Sequence, residues 1–200
     1  SWQGKVEADG LALCGLSPKL RAKKVALMSQ FSQTAFAYTV YEAVMLGRYA
    51  HQTGSLFSAE TAADRRAVEE ALRRTGMWDL RKQPVTMLSG GQLQRVFLSR
   101  TFAQEPQIIL LDEPANHLDL CCQAELLESL RDWTANRERC VVGVFHDISL
   151  ALAFADTALL LEEGRALFHG PVKSLDLKLF DRLYGMDVRR YMKRIHGRWE

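Results

Sequence analysis

No apolar run in the chain approaches the ~20 residues that span a bilayer, so no segment reads as a transmembrane helix. Net charge is scarce too: 26 Lys and Arg stand against 24 Asp and Glu, a formal +2. That disfavours a protein that grips nucleic acid by bulk charge and leaves room only for a local basic patch. Cysteine is sparse. Cys14, Cys121, Cys122 and Cys140 make no C-x-x-C pair, and no Cys/His set has zinc spacing. Reduced, structural thiols are the expectation. The opening stretch SWQGKVEADG contains no apolar core of the kind a secretory leader needs, so a cytosolic chain is expected. Internal repeats and low-complexity tracts are absent as well.

What remains is an ordinary globular composition, 48% hydrophobic and 25% charged. Two hundred residues suit one domain, with or without a small subdomain. Ser1 is not a methionine, and residues 4–8 read as a hairpin strand entered partway, so a chain missing its first elements is expected. Residues 4–8 and 11–14 flank the turn pair Asp9-Gly10. Ser17-Pro18 should cap and start a short helix to Lys24, followed by a strand over 25–29 that ends at Gln30. Thr39 and Glu42 have capping-box spacing, which predicts a helix to about Tyr49. A charged helix over about 59–75 should stop at Gly76, and another should begin after Ser89. The apolar runs at 108–112 and 140–145 predict strands covered on both faces, each followed by a helix, over 120–135 and 147–155. A hairpin turning at Glu163-Gly164 and a basic, helical C-terminal part complete the pattern. Strand and helix alternating with fully apolar strands predicts an α/β layer with parallel strands. Residues 36–88 are nearly all helical in pattern and read as a subdomain inserted into one domain spanning 1–200.

Three stretches carry chemistry. IILLDEP delivers Asp112 and Glu113 at the carboxyl end of a buried strand, the edge where open α/β sheets bind ligands. Adjacent carboxylates in a strand point to opposite sides, so one could hold a metal and the other meet a water. The bland alternative is a strand running into an acidic turn stopped by Pro114. FHD ends the next apolar run likewise, placing His146 at the same edge, although a lone histidine is as often structural. In LSGGQLQR, Ser89 can cap a helix while Gly90 and Gly91 expose backbone N–H groups beside the positive end of the helix dipole. That geometry favours an anion, especially phosphate, yet a Gly-Gly pair before a helix is also a common loop.

In order, Gln30 ending a strand, LSGGQLQR, IILLDEP, NHLD at 116–119 and FHD resemble the nucleotide-binding subunit of an ABC transporter over essentially the whole chain. VALMSQ, TVYEAVMLGRYAH, DEPANHLDL and LYGMDV are similar to the iron-siderophore, haem and cobalamin importer branch. The resemblance implies a P-loop NTPase-like ABC ATPase core with an inserted helical subdomain. It implies ATP and Mg²⁺ as cofactors and hydrolysis of ATP coupled to import. It further implies membrane permease subunits and a second ATPase subunit as partners, a substrate-binding protein reached indirectly, no nucleic acid, and a place on the cytoplasmic face of the membrane. By the same resemblance, Gln30 touches the Mg²⁺ site and the permease. Ser89, Gly90, Gly91 and Gln92 form the signature that meets the γ-phosphate of ATP on the other subunit. Asp112 holds Mg²⁺, Glu113 polarises the attacking water, Asp119 lies at the dimer seam, and His146 senses the γ-phosphate.

The phosphate cradle G-x-x-x-x-G-K-[ST] occurs nowhere in residues 1–200; at Gly4-Lys5 the lysine is followed by Val6 and no glycine lies upstream. The chain therefore resembles the family domain without its N-terminal strands and P-loop. Two rival readings are a soluble ABC ATPase without a permease and a non-catalytic remnant that binds a partner.

Overall fold

The computed structural model describes residues 3–28, 38–52, 60–115, 118–135 and 138–197. They fall into two units, residues 1–146 and 147–200.

The first unit opens with a minimal antiparallel hairpin, β1 (Glu7–Ala8) and β2 (Leu11–Ala12). Asp9 and Gly10, at φ 51° and 74°, make its two-residue turn, a conformation that suits a short polar residue followed by glycine. The strands are shorter than the pattern suggested because a 3₁₀ turn begins at Leu13. Helix α1 (Pro18–Lys24) is capped by Ser17, whose hydroxyl accepts from the Leu20 amide at 3.3 Å. Strand β3 (Val25–Met28) follows directly. The Thr39–Glu42 capping box forms and starts α2 (Val40–Met45). This helix tightens into a 3₁₀ turn over Leu46–Ala50 rather than continuing to Tyr49. Gly47 lies at that tightening, where a Cβ would stand 2.3 Å from the Arg100 carbonyl oxygen. Helix α3 (Ala62–Arg74) starts later than expected, because a second capping box joins Thr61 to Asp64. It ends before Gly76, at φ 68°.

Helix α4 (Gly90–Ala103) packs against α2 and α3. Val40, Val44, Val68, Leu72 and Val96 have no exposed surface there, and together they form the apolar centre of this helical layer. A buried cation sits within it. Arg48 donates from Nε to Asp64 Oδ1 at 2.9 Å and from Nη1 to the Ala103 carbonyl at 2.7 Å. Both charged residues are almost wholly buried, and their pairing, with Glu105 also 2.6 Å from Arg48 Nη1 and Thr61 donating to Asp64, offsets the loss of water. At the far end of α4, the Gln104 carboxamide donates to the Ala22 and Val25 carbonyls and ties the helix to the start of β3.

β3 pairs in parallel with β4 (Ile108–Asp112), which pairs in parallel with β5 (Cys140–Val144), so β4 is central. Helix α5 (Leu120–Thr134) connects β4 to β5. The parallel α/β arrangement is as expected, but the cover is not. Ile109 and Leu111 are buried, whereas Leu110 and its register partners Leu27 and Val142, all on the opposite face, are exposed. An apolar run shows that both faces can be buried; whether both are depends on the layers available, and the described residues cover one.

The second unit holds α6 (Ile148–Phe154) and the antiparallel pair β6 (Thr157–Glu162) and β7 (Arg165–Pro171), turning at Glu163-Gly164 as expected. Helices α7 (Lys178–Tyr184) and α8 (Val188–His196) follow. Leu160, Leu175, Phe180 and Val188 are its buried centre.

Candidate functional site

The parallel sheet delivers its chemistry where β4 and β5 end. Asp112 is the last residue of β4 and is exposed on the uncovered sheet face. Glu113 is not a strand residue, as the alternation argument assumed. The chain turns there into the left-handed region, φ 49°, while the Glu113 amide still donates to the Val144 carbonyl at 3.2 Å. A non-glycine residue at such a φ is uncommon, and such positions cluster at functional sites. The turn directs the Glu113 carboxylate to His146, two residues beyond β5, and Glu113 Oε1 pairs with His146 Nε2. The Glu113 side chain is 28% exposed and that of His146 70%, so the pair lies at the surface, open to a ligand.

The signature residues are built into the start of α4. Ser89 is its N-cap, accepting from the Gln92 amide at 3.3 Å, and the Gln92 carboxamide accepts in return from the Ser89 amide at 2.9 Å. Gln92 is thus committed to the cap. Gly90 and Gly91 are the first two helical residues, not a loop ahead of the helix. Their N–H groups are among those a helix leaves unbonded at its start. Gly91 also permits a close approach to α5: a Cβ there would stand 2.5 Å from Cys122 Sγ.

Two glutamines bind this helix pair to the carboxylate edge. Gln94, one turn into α4, donates from Nε2 to the Pro114 carbonyl at 3.0 Å. Gln123, in the first turn of α5, donates to the Ala115 carbonyl at 3.1 Å. The two carbonyls are consecutive and directly follow Glu113. Arg95 and Glu125, 3.0 Å apart, link the same helices by an ion pair. The sequence reading missed this clamp. Its only trace is a glutamine one turn into each helix, and the partners are backbone atoms that no side-chain pattern marks.

Asp119 caps α5, accepting from the Cys122 amide at 2.9 Å. Those hydrogen bonds hold its carboxyl below the usual carboxylate range, so it is anionic at neutral pH. Burial and the neighbouring Asp119 push the Cys122 thiol up, which keeps it protonated. All four cysteines are free, and Cys14, Cys121 and Cys140 are exposed instead of packed in a core.

Of the expected site residues, then, Glu113 and His146 are in contact and Asp112 adjoins them. Ser89, Gly90, Gly91 and Gln92 are tied to that edge through Gln94, and Asp119 heads α5. Gln30 lies outside the described residues. Among the described residues no cluster of three or more His, Cys, Asp or Glu could hold a metal ion by itself. Mg²⁺ needs no such cage, since it is commonly held by one or two carboxylates together with waters and substrate phosphates. Asp112, exposed and in none of the ion pairs of the described residues, fits that requirement.

The fold is an α/β layer on a parallel sheet with a carboxylate–histidine contact at its carboxyl edge, and comparison with known proteins specifies the family. The family described as ABC transporter matches residues 2–116. The chain is 36% identical over 184 residues to the ferric enterobactin transport ATP-binding protein of Escherichia coli, covering 92% of this chain and 67% of that one. It is 35% identical over 172 residues to the cobalamin import ATP-binding protein of Halobacterium salinarum, covering 86% of this chain and 42% of that one. A solved metal-chelate type ABC transporter in an inward-facing conformation superposes with a TM-score of 0.74 at 31% identity, over 81% of this chain and 64% of that one. The chain belongs to the ABC transporter ATP-binding family. It spans between 37% and 69% of the length of the curated relatives it matches. No described helix is long and apolar enough to cross a membrane.

Proposed function

We propose that the chain is the ATP-hydrolysing subunit of an ABC importer, coupling ATP binding and hydrolysis to uptake of an iron-siderophore, haem or cobalamin-type substrate. The observation that carries this reading is the contact of Glu113 with His146 beside Asp112 at the carboxyl end of the parallel sheet. Relatives named for ferric enterobactin transport and cobalamin import support the substrate class.

Each side chain then has a distinct task. Asp112 would hold Mg²⁺, which would offset phosphate charge. Glu113 accepts the proton of the attacking water, a role that typically contributes ~10²–10⁴-fold to the rate. His146 fixes the Glu113 carboxylate in position and reads the state of the terminal phosphate. The amides of Gly90 and Gly91, at the positive end of α4, meet the phosphates of nucleotide held by a second ATPase subunit. Asp119, anionic at the head of α5, lies at the seam between the subunits. Bound Mg-ATP supplies the phosphoryl group and the cation that offsets its charge; positioning and charge neutralisation are most of what its transfer requires.

Gln30 and the helix that starts after Thr39 are the proposed permease contact, in a stretch, residues 30–49, rich in the Phe, Tyr and Met that favour interface cores. Residues 36–88 are the proposed helical subdomain of one domain spanning 1–200. The permease places the subunit on the cytoplasmic face of the membrane, and a substrate-binding protein acts through it. The test is uptake into vesicles carrying the assembled transporter. Uptake of a labelled ferric siderophore or cobalamin should require internal Mg-ATP and be lost with Glu113→Gln. Uptake that is unchanged in Glu113→Gln would remove the reading.

A further inference from the structure

We propose that the second unit contains a binding site for a single-chain anionic amphiphile, a molecule with one acyl-length apolar chain and one carboxylate or phosphate head. A cavity of about 660 Å³ lies among α6, α7 and α8. Leu152 of α6, Leu177 and Phe180 at α7, and Met192 of α8 make its apolar wall, while Arg189 and Lys193 of α8 line it with two cations. Among the described residues no carboxylate lines it. A volume of this size, mostly apolar with a few polar groups, is characteristic of small-molecule pockets. None of its lining residues belongs to the site at Glu113, and the inference does not depend on the ATPase reading.

The charge pattern selects the head group. Helix α8 contains Arg189, Arg190, Lys193 and Arg194 and no acidic residue. Among the described residues, none of the four is in an ion pair. Arg189 and Lys193 are four residues apart and so adjacent on the helix surface, where like charges repel. An anion placed between them removes that repulsion and gains charge-assisted hydrogen bonds. The apolar stripe of α8, at 188, 192 and 195, points the attached chain towards Phe180. Val188 closes the bottom of the stripe in the buried centre, and Ile195 is exposed at its open end.

The experiment is calorimetric titration of the 200-residue chain with dodecanoate below its micelle concentration, with phosphatidylglycerol vesicles as a separate arm. One dodecanoate should bind per chain. Lys193→Glu should weaken it about tenfold or more, with Lys193→Gln as the milder variant should the first fail to fold. Arg194→Glu makes the same charge change on the same helix outside the lining and should leave affinity unchanged. Dodecanol and dodecyltrimethylammonium should not compete. Dodecanol binding as tightly as dodecanoate, equal losses in Lys193→Glu and Arg194→Glu, or binding to vesicles without binding of dodecanoate would each overturn the proposal.

Discussion

Replacing Gln94 with leucine should loosen the Glu113 turn without unfolding the sheet. The Gln94 carboxamide is partly buried and donates to the Pro114 carbonyl at 3.0 Å. Leucine keeps the bulk and the helix propensity of the position, so the change isolates the hydrogen bond. Removing one partner leaves a partly buried carbonyl unsatisfied, at a cost of about 1–3 kcal/mol. Each 1.4 kcal/mol is a factor of ten in an equilibrium, so local opening of residues 113–115 should become roughly 5- to 150-fold more populated. Gln123→Leu should do the same through the Ala115 carbonyl, and the two effects should not add, because the carbonyls are neighbours in one turn. Hydrogen exchange measures this directly. The Glu113 amide, bonded to Val144, and the Leu118 amide, bonded to Ala115, are the reporters, and the β6–β7 hairpin is the internal reference. Protection that changes by less than about threefold in both variants, or that falls equally in the reference hairpin, would refute the clamp.

Arg48→Met should cost about 3–5 kcal/mol, because it leaves the Asp64 carboxylate buried with Thr61 alone. Urea unfolding followed on tryptophan fluorescence reads it, and a loss under about 1 kcal/mol would be inconsistent with a buried pair. Burial alone would raise the Asp64 pKa, but the hydrogen bonds from Thr61 and Arg48 outweigh it and hold the group low. A depressed carboxylate contributes stability that is present above its unfolded value, ~3.9, and lost as pH falls through its folded one. The gap between wild type and Arg48→Met should therefore narrow on acidification below about pH 4. The 200-residue chain alone should neither bind ATP with micromolar affinity nor hydrolyse it. Favourable charges at a helix start are worth about 0.3–1 kcal/mol each, against roughly 8 kcal/mol for a micromolar complex. Calorimetry that finds micromolar ATP with turnover dependent on Ser89 would contradict this.

The parts of the site that were legible in the sequence are those made by consecutive residues. An apolar run that stops at a carboxylate locates the end of β4, and the same logic at β5 locates His146. The capping box at Thr39 is visible because its two partners are three residues apart, and Ser89 is visible as a cap, though its reciprocal partner Gln92 is not. Thr61 with Asp64 is the same device with Asp in place of Glu, and it starts the helix at Ala62, later than the charge pattern alone predicts. Long-range geometry was not legible. At Gly47, just past the end of α2, the chain passes so close to the Arg100 carbonyl that no Cβ fits, and the Glu113 turn is clamped by side-chain amides from two other helices. Nor could the exposed face at Leu27, Leu110 and Val142 be read, since apolar content shows what a strand tolerates and not which layer covers it.

The most direct test of the central claim is phosphate release by a fusion in which a relative's phosphate-cradle segment precedes residue 1, wild type against Glu113→Gln. The carboxamide keeps the shape of the side chain but is a poor base. Turnover is expected to fall at least ~10²-fold while ATP remains bound. A Glu113→Gln protein that retains more than about a tenth of wild-type turnover would contradict the assignment of Glu113 as the base.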